Sequence, residues 1–311
     1  MRGNPNYDMT KPLLAIKIDV DTDRGTRIGV PNLLDLFDEF NIKATFLFSL
    51  GPDNTGRAIK RIFRPGFLSK VSRTSVVSTY GIRTLLNGLI LPGPHVGRRN
   101  EGVMRLARDR GHEVGIHCYD HIRWQDGLAK MDRNEVYEEF GKARKEFERI
   151  FGKPAQTAGS AGWQANSFSL EAYDDAHLLY ASDARGTHPF SPRVNGVVYK
   201  TPQIPTTLPT LDELLGRPEY PEGRIIAHYL ALLIPDKLNV LTIHAELEGM
   251  KKIALFRTFL EQIKSRRIHI VKLEDYARDL MQDPSFIPVC DLVSWTVDGR
   301  SGTLATQQCG Q

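Results

Sequence analysis

Cysteine is scarce in this chain. Cys118, Cys290 and Cys309 are the only three in 311 residues, and they are odd in number and far apart. That spacing suggests no disulfide framework. No run of 18 or more apolar residues occurs, so the sequence offers no membrane-spanning helix. The opening MRGNPNYDMTKPLLAIKIDVD returns to charge too soon for a signal peptide, and we expect a cytoplasmic protein. A net charge of +4 is too small to imply nucleic acid by itself. One further absence is local: between Asp53 and Glu101 there is no acidic residue at all.

What is present is ordinary for a soluble globular protein, with 41% hydrophobic and 25% charged residues. A chain of this length can bury a large core, as one big α/β domain or two smaller ones. Short apolar runs alternate with helical patterns. LLAIKID, KATFLFSLG, HEVGIHCY, LLYASDARG, NVLTIHAE and IHIVKL read as strands. Between them, VPNLLDLFDEFN and EGVMRLARDRG read as helices, as do the stretches around 167–176, 222–234 and 249–266. A long helix follows Asp132, with Glu135 at the capping-box position and Gly152 past its end. Repeated strand–helix succession implies βαβ units, hence a mainly parallel sheet or barrel. The polar, Gly-rich DGRSGTLATQQCGQ reads as a flexible tail over 296–311, leaving one catalytic domain over 1–295.

In parallel β/α folds, side chains that do chemistry collect where strands end. Here Asp19 and Asp21 follow the first strand, His117 and His121 the third, and His244 the strand NVLTI, while Asp183 lies within LLYASDARG. Two positions apart on a strand, Asp19 and Asp21 point to one face. A hydrolytic metal site needs about three protein ligands and open positions, and His117, His121 and one carboxylate would supply them. The neighbouring carboxylate could then take a proton from water. Taken singly, each residue has a plainer reading. An Asp after a strand is commonly a turn or cap residue, and a lone histidine is commonly a satisfied core group. Their joint placement favours function.

Taken in order, KIDVDT, HCYDH, SDARG and LTIHAE resemble the motifs of the polysaccharide deacetylase superfamily. The resemblance implies a distorted parallel (β/α) barrel and metal-dependent amide hydrolysis. It implies Asp21, His117 and His121 as ligands of one divalent transition metal ion, such as Mn, Zn or Co. Asp19 becomes the general base, His244 the acid that protonates the leaving amine, and Asp183 a group that orients or tunes His244. The family carries an arginine that pairs with the base in its third motif, and TAGSAGWQAN has none. Arg24 and Arg185 are the candidates to replace it. Trp163 either lines the site or packs in the core.

The acid-free segment, an insertion spanning about 53–100, holds nine cations: Arg57, Lys60, Arg61, Arg64, Lys70, Arg73, Arg83, Arg98 and Arg99. Apolar residues recur among them at steps of three and four: Ile59, Ile62, Phe63 and Phe67, then Ile82, Leu85, Leu86 and Leu89. Basic amphipathic helices of this kind lie in a membrane interface, and anionic lipid attracts each nearby cation by roughly 1 kcal/mol. The segment has too few aromatics for base stacking, so nucleic acid is not expected, and no obligate protein partner is inferred. Lying beside the site, the insertion implies a lipid-linked substrate and a peripheral position on the inner face of the bacterial inner membrane. Together with IKIDVDTDRGT, GIHCYDHIRWQD and LTIHAELEGM, it is similar to the branch of the superfamily that deformylates undecaprenyl-phosphate-linked 4-deoxy-4-formamido-arabinose. That reaction belongs to lipid A modification and polymyxin resistance. The alternatives are an N-deacetylase of another amino sugar and a non-catalytic membrane-docking protein.

Overall fold

The computed structural model describes residues 11–58 and 82–310; Lys60, Arg61, Phe63, Arg64 and Phe67 of the basic segment lie outside them. In chain order the strands are β1 (Leu13–Val20), β2 (Thr45–Ser49), β3 (Glu113–Cys118), β4 (Thr157–Ala158), β5 (Tyr180–Ala181), β6 (Ser191–Val194), β7 (Val197–Val198), β8 (Leu238–His244), β9 (His269–Val271), β10 (Val289–Thr296) and β11 (Thr303–Gln308). Seven of them form a parallel sheet in the order β5-β4-β3-β2-β1-β8, with β9 paired to β1. β9 takes Leu13–Ala15 and β2 takes Lys17–Val20, so β9 closes the end of the sheet where β1 begins.

The strands are buried on both faces, and their alternation sorts side chains into two sets. Leu14, Ile16, Ile18 and Val20 of β1 join Phe46, Phe48, Val114, Ile116 and the helices in the main core. Leu13 and Ala15 point the other way, into a small cluster with Tyr180, Leu238, Val240 and Val271. By the same period of two, Lys17 and Asp19 continue this inner row toward the strand's carboxyl end. His117 continues the row Glu113, Gly115 on β3, and His244 the row Val240, Thr242 on β8. The interior therefore holds an apolar cluster beside one hydrogen-bonded acid, Glu113, where the strands begin, and the candidate site residues where they end.

Local signals set the helices that cover the outer face. Pro31 sits in the first turn of Val30–Phe40, and Asn41 ends it in the left-handed region. Asp132 and Glu135 form the expected capping box of Arg133–Phe151, and Gly152 terminates it at φ 70°. The expected helical run Ile82–Leu89 is shorter: helix ends at Leu86, because Gly88 at φ 78° turns the chain, so Leu89 lies past it. No helix of the described residues is long and apolar enough to cross a membrane.

The carboxyl-terminal segment departs from expectation. Residues 303–308 are not part of a flexible tail but form β11, which pairs antiparallel with β10 in a second, four-stranded sheet ordered β11-β10-β6-β7. Leu304 and Ala305 are buried there, and a polar, glycine-bearing composition hid these two anchors. Cys290 and Cys309, left unpaired by the sequence reading, form a disulfide between β10 and the end of β11.

Candidate active site and metal centre

Four separate strand ends deliver the candidate residues to one place. Asp19 and His244 are register partners on β1 and β8. His117 Nε2 and His121 Nε2 lie 3.2 and 3.5 Å from the same atom, Oδ1 of Asp21, and the two imidazole centroids are 5.3 Å apart. His117 Nδ1 is also 3.9 Å from Asp19 Oδ1. Oδ1 of Asp19 and Oδ1 of Asp21 are both buried without a hydrogen-bond partner. One ligand atom each from Asp21, His117 and His121 falls within 4.8 Å of the other two. Buried carboxylate oxygens that no donor satisfies, facing two imidazoles, fit a divalent cation.

The backbone around the site fixes each ring. His117 Nδ1 donates to Gly159 O at 2.6 Å, which leaves the Nε2 lone pair aimed at Asp21. His121 opens the helix His121–Gly127 and is held by the residue before it. Asp120 caps that helix through Ile122 N and Arg123 N, and Asn54 Nδ2 donates to its other oxygen at 2.6 Å. Asp21 is anchored from behind by Glu246, whose Oε1 accepts from Asp21 N, Thr22 N and Thr22 Oγ1. His244 N donates to Glu248, and its ring packs edge-on against Trp163 at 6.4 Å.

Charge is balanced tightly. Burial pushes the Asp21 carboxyl up, but His121 and His117 outweigh it and hold it well below the usual carboxylate range. Burial pulls His117 down, yet Asp19 and Asp21 together raise it above the ordinary imidazole value. Glu246 is pushed up to about 8 by burial and then by the Asp21 charge. Burial likewise takes Glu248 to about 8.

Asp183 is fully buried and accepts from Ser160 N and Gln203 Nε2, at 2.6 and 3.1 Å. Burial raises its carboxyl, against those hydrogen bonds and the charge of Lys17. Arg185 is bound to Glu213 at 2.6 Å and to Leu208 O at 3.0 Å. Arg24 is half-buried at the start of the turn after β1. Trp163 is buried at φ 54°, donates Nε1 to Thr206 Oγ1, and has three cations around its ring: Lys17, Arg185 and Arg300.

Four of these residues escaped the sequence reading. Glu246 and Glu248 stand in LTIHAELEG, where two acids right after a strand-end histidine were a usable signal. Lys17 carried one as well, being two positions before Asp19 and hence on its face. Arg300, which composition places in the tail, lies 4.3 Å over Trp163 and donates to Glu213.

The polysaccharide deacetylase family model matches residues 10–175. A Shewanella sediminis protein named as a probable 4-deoxy-4-formamido-L-arabinose-phosphoundecaprenol deformylase is 38% identical over 294 residues, 94% of each chain. A Wigglesworthia glossinidia brevipalpis protein of the same name is 32% identical over 91% of this chain and 98% of its own. Among solved structures, a Mycobacterium smegmatis protein described as a polysaccharide deacetylase superposes with a TM-score of 0.63 at 17% identity, covering 91% and 94% of the two chains. With the motifs resting on the strand ends of this curled parallel sheet, the chain belongs to the polysaccharide deacetylase family and is a hydrolase of amide bonds.

Proposed function

We propose that this protein removes the N-formyl group from undecaprenyl-phosphate-linked 4-deoxy-4-formamido-L-arabinose, giving the 4-amino sugar lipid used to modify lipid A in polymyxin resistance. The convergence of Asp19, Asp21, His117, His121 and His244 on one mouth of the sheet carries the hydrolysis, and the two relatives named as deformylases of this sugar lipid support the substrate. Asp21, His117 and His121 would hold one divalent ion. When bound, that ion supplies Lewis acidity to the formamide carbonyl and lowers the pKa of water. Asp19 takes the proton of the attacking water as its oxygen bonds to the formyl carbon. His244, in register across from Asp19, delivers a proton to the nitrogen as the carbon–nitrogen bond breaks. Formate and the free amine result.

The surroundings support a lipid-borne substrate presented at an anionic membrane on the inner face of the inner membrane. Leu89, Ile90 and Leu91 are 44%, 77% and 38% exposed, three apolar side chains in a row. They sit on a turn held by Gly88 N to Leu91 O and Ile90 N to Leu86 O, and exposed Arg57 is tied to it through Gly88 O. The two roots of the basic insertion are pinned together by Gly56 N to Asn87 O and Asp53 N to Pro94 O. Asp53 also accepts from Asp23 N, two residues beyond Asp21. An apolar tip with Arg57 beside it, rooted on the loop that follows Asp21, suits capture of a sugar whose prenyl chain stays in the bilayer.

The test is a side-by-side assay of purified, metal-loaded protein on the formamido and acetamido sugar lipids, with mass-spectrometric detection of the amine. Release from the formamido lipid at least tenfold faster is expected. Turnover of the acetamido lipid alone would replace this reading with an N-deacetylase.

A further inference from the structure

Lys17 is the only buried lysine among the described residues, with no exposed surface. Its ammonium donates to Ser182 O at 3.1 Å and lies 3.6 Å from Asp19 Oδ1, the oxygen that no hydrogen bond satisfies. Burial lowers the pKa of this ammonium, the charges of Asp19 and Asp183 oppose that, and the Trp163 ring is 5.3 Å away. An ammonium taken wholly out of water persists in a fold only where anions and acceptors replace its hydration. Here the anions are Asp19 and Asp183.

The stretch Thr157–Asn166, where the family's arginine is missing, passes directly over this lysine. A Cβ on Gly159 would come within 2.4 Å of Leu47 Cδ1 and 3.6 Å of Lys17 Nζ. Gly159 thus leaves room for Leu47, with Lys17 at ordinary contact distance beneath it, while its carbonyl holds His117. Arg185 and Arg300, the two arginines over the Trp163 ring, are both hydrogen-bonded to Glu213 Oε1, at 2.6 and 2.7 Å. Lys17 and Asp19 stand two apart on β1 and so share the inner face by the geometry of the strand.

We propose that Lys17 is the positioning cation for the catalytic base. Its charge fixes the Asp19 carboxylate toward the site and offsets the repulsion between Asp19 and Asp21. The role given elsewhere in the family to an arginine from another segment is carried here by the strand that bears the base. The inference rests on the hydrolytic reading above.

The test uses full-length, metal-loaded protein and the formamido sugar lipid. Lys17→Met, of similar length and without charge, should lower kcat about 100-fold with KM and metal content unchanged. Lys17→Arg should recover most of the loss. In an Asp19→Asn background, Lys17→Met should cost no further rate, because the group it positions is gone. Wild-type kcat in Lys17→Met, or an equal fractional loss in the Asp19→Asn background, would overturn the proposal. Should the Met variant fail to fold in a thermal melt, Lys17→Gln keeps a donor for Ser182 O without the charge and is judged by the same criteria. A wild type inactive on this lipid would remove the substrate assignment alone. The carbon-13 resonance of the Asp19 carboxyl, assigned by its loss in Asp19→Asn, then decides: it should move in the Lys17 variants, and an unmoved resonance refutes the pairing whatever the substrate.

Discussion

The two ends of the sheet both bury acidic side chains, and they treat them differently. Where the strands begin, Glu113 is matched on both oxygens: Oε1 accepts from Tyr180 Oη, and Oε2 from Thr45 Oγ1 and Glu274 N. Where they end, Asp19 Oδ1, Asp21 Oδ1 and Glu246 Oε2 are buried and no hydrogen bond reaches them. Satisfied acids knit strands together, whereas unsatisfied ones beside two imidazoles call for a cation or a substrate. Burial alone marks neither end as functional. Unmet carboxylate oxygens beside imidazoles set the second end apart.

The sharpest way to break this contrast is to remove ligands. Asp21→Ala, His117→Ala or His121→Ala should abolish bound metal, read by elemental analysis, and lower turnover by at least about 10³-fold. Asp19→Asn and His244→Ala should keep the metal and lose about 10²–10⁴-fold each, the usual worth of a general acid or base. Full metal occupancy in the His117→Ala protein would sink the ligand assignment.

That half of the molecule was the more legible in sequence, for a physical reason. A strand buried on both faces reads as an unbroken apolar run, so the first polar residues after it stand out: Asp19, His117, His244. Lys17 did not stand out because it sits inside the run LLAIKID, where a charge looks like a strand edge and not a partner for Asp19. The carboxyl-terminal sheet was hidden because β11 buries only the adjacent Leu304 and Ala305, which give TLATQQ no period-two pattern to read. Arg300 went with it. Cys290 and Cys309 meet only through the pairing of β10 and β11, which spacing alone could not supply.

A smaller effect separates catalysis from delivery. Leu89, Ile90 and Leu91 already face solvent, so replacing all three with serine should leave the melting temperature within about 2 °C. Vesicle partitioning should fall roughly tenfold or more, since each buried aliphatic side chain contributes ~1.5–3 kcal/mol when fully removed from water. Charge reversal at Arg57 should weaken the same binding in a salt-dependent way. Turnover of a short-chain, water-soluble analogue should be unchanged in both variants. Unchanged flotation with phosphatidylglycerol vesicles would mean that this turn is not a membrane contact.

The smallest effect lies at the other end, in Glu113. Burial outweighs its three hydrogen bonds and raises its carboxyl from 4.5 to about 7. The folded protein therefore keeps this proton over a range where the unfolded chain has released it. The resulting stabilisation is complete below pH 4.5 and is lost as pH rises through about 7. Over that window stability should fall with pH by up to ~1.4 kcal/mol per unit from this group alone. Glu113→Gln mimics the protonated acid: its oxygen can accept from Thr45 and Glu274 N while its amide donates to Tyr180 Oη. The variant should match wild type near pH 5, exceed it at pH 8, and leave metal content and kcat unaltered. Titration of His117 and His121 contributes equally to both proteins, so the difference between their denaturation curves isolates Glu113. Parallel curves from pH 5 to 8 would mean that Glu113 is already ionised in the fold, held by its three donors, and that the two ends of the sheet differ in hydrogen bonding without differing in protonation.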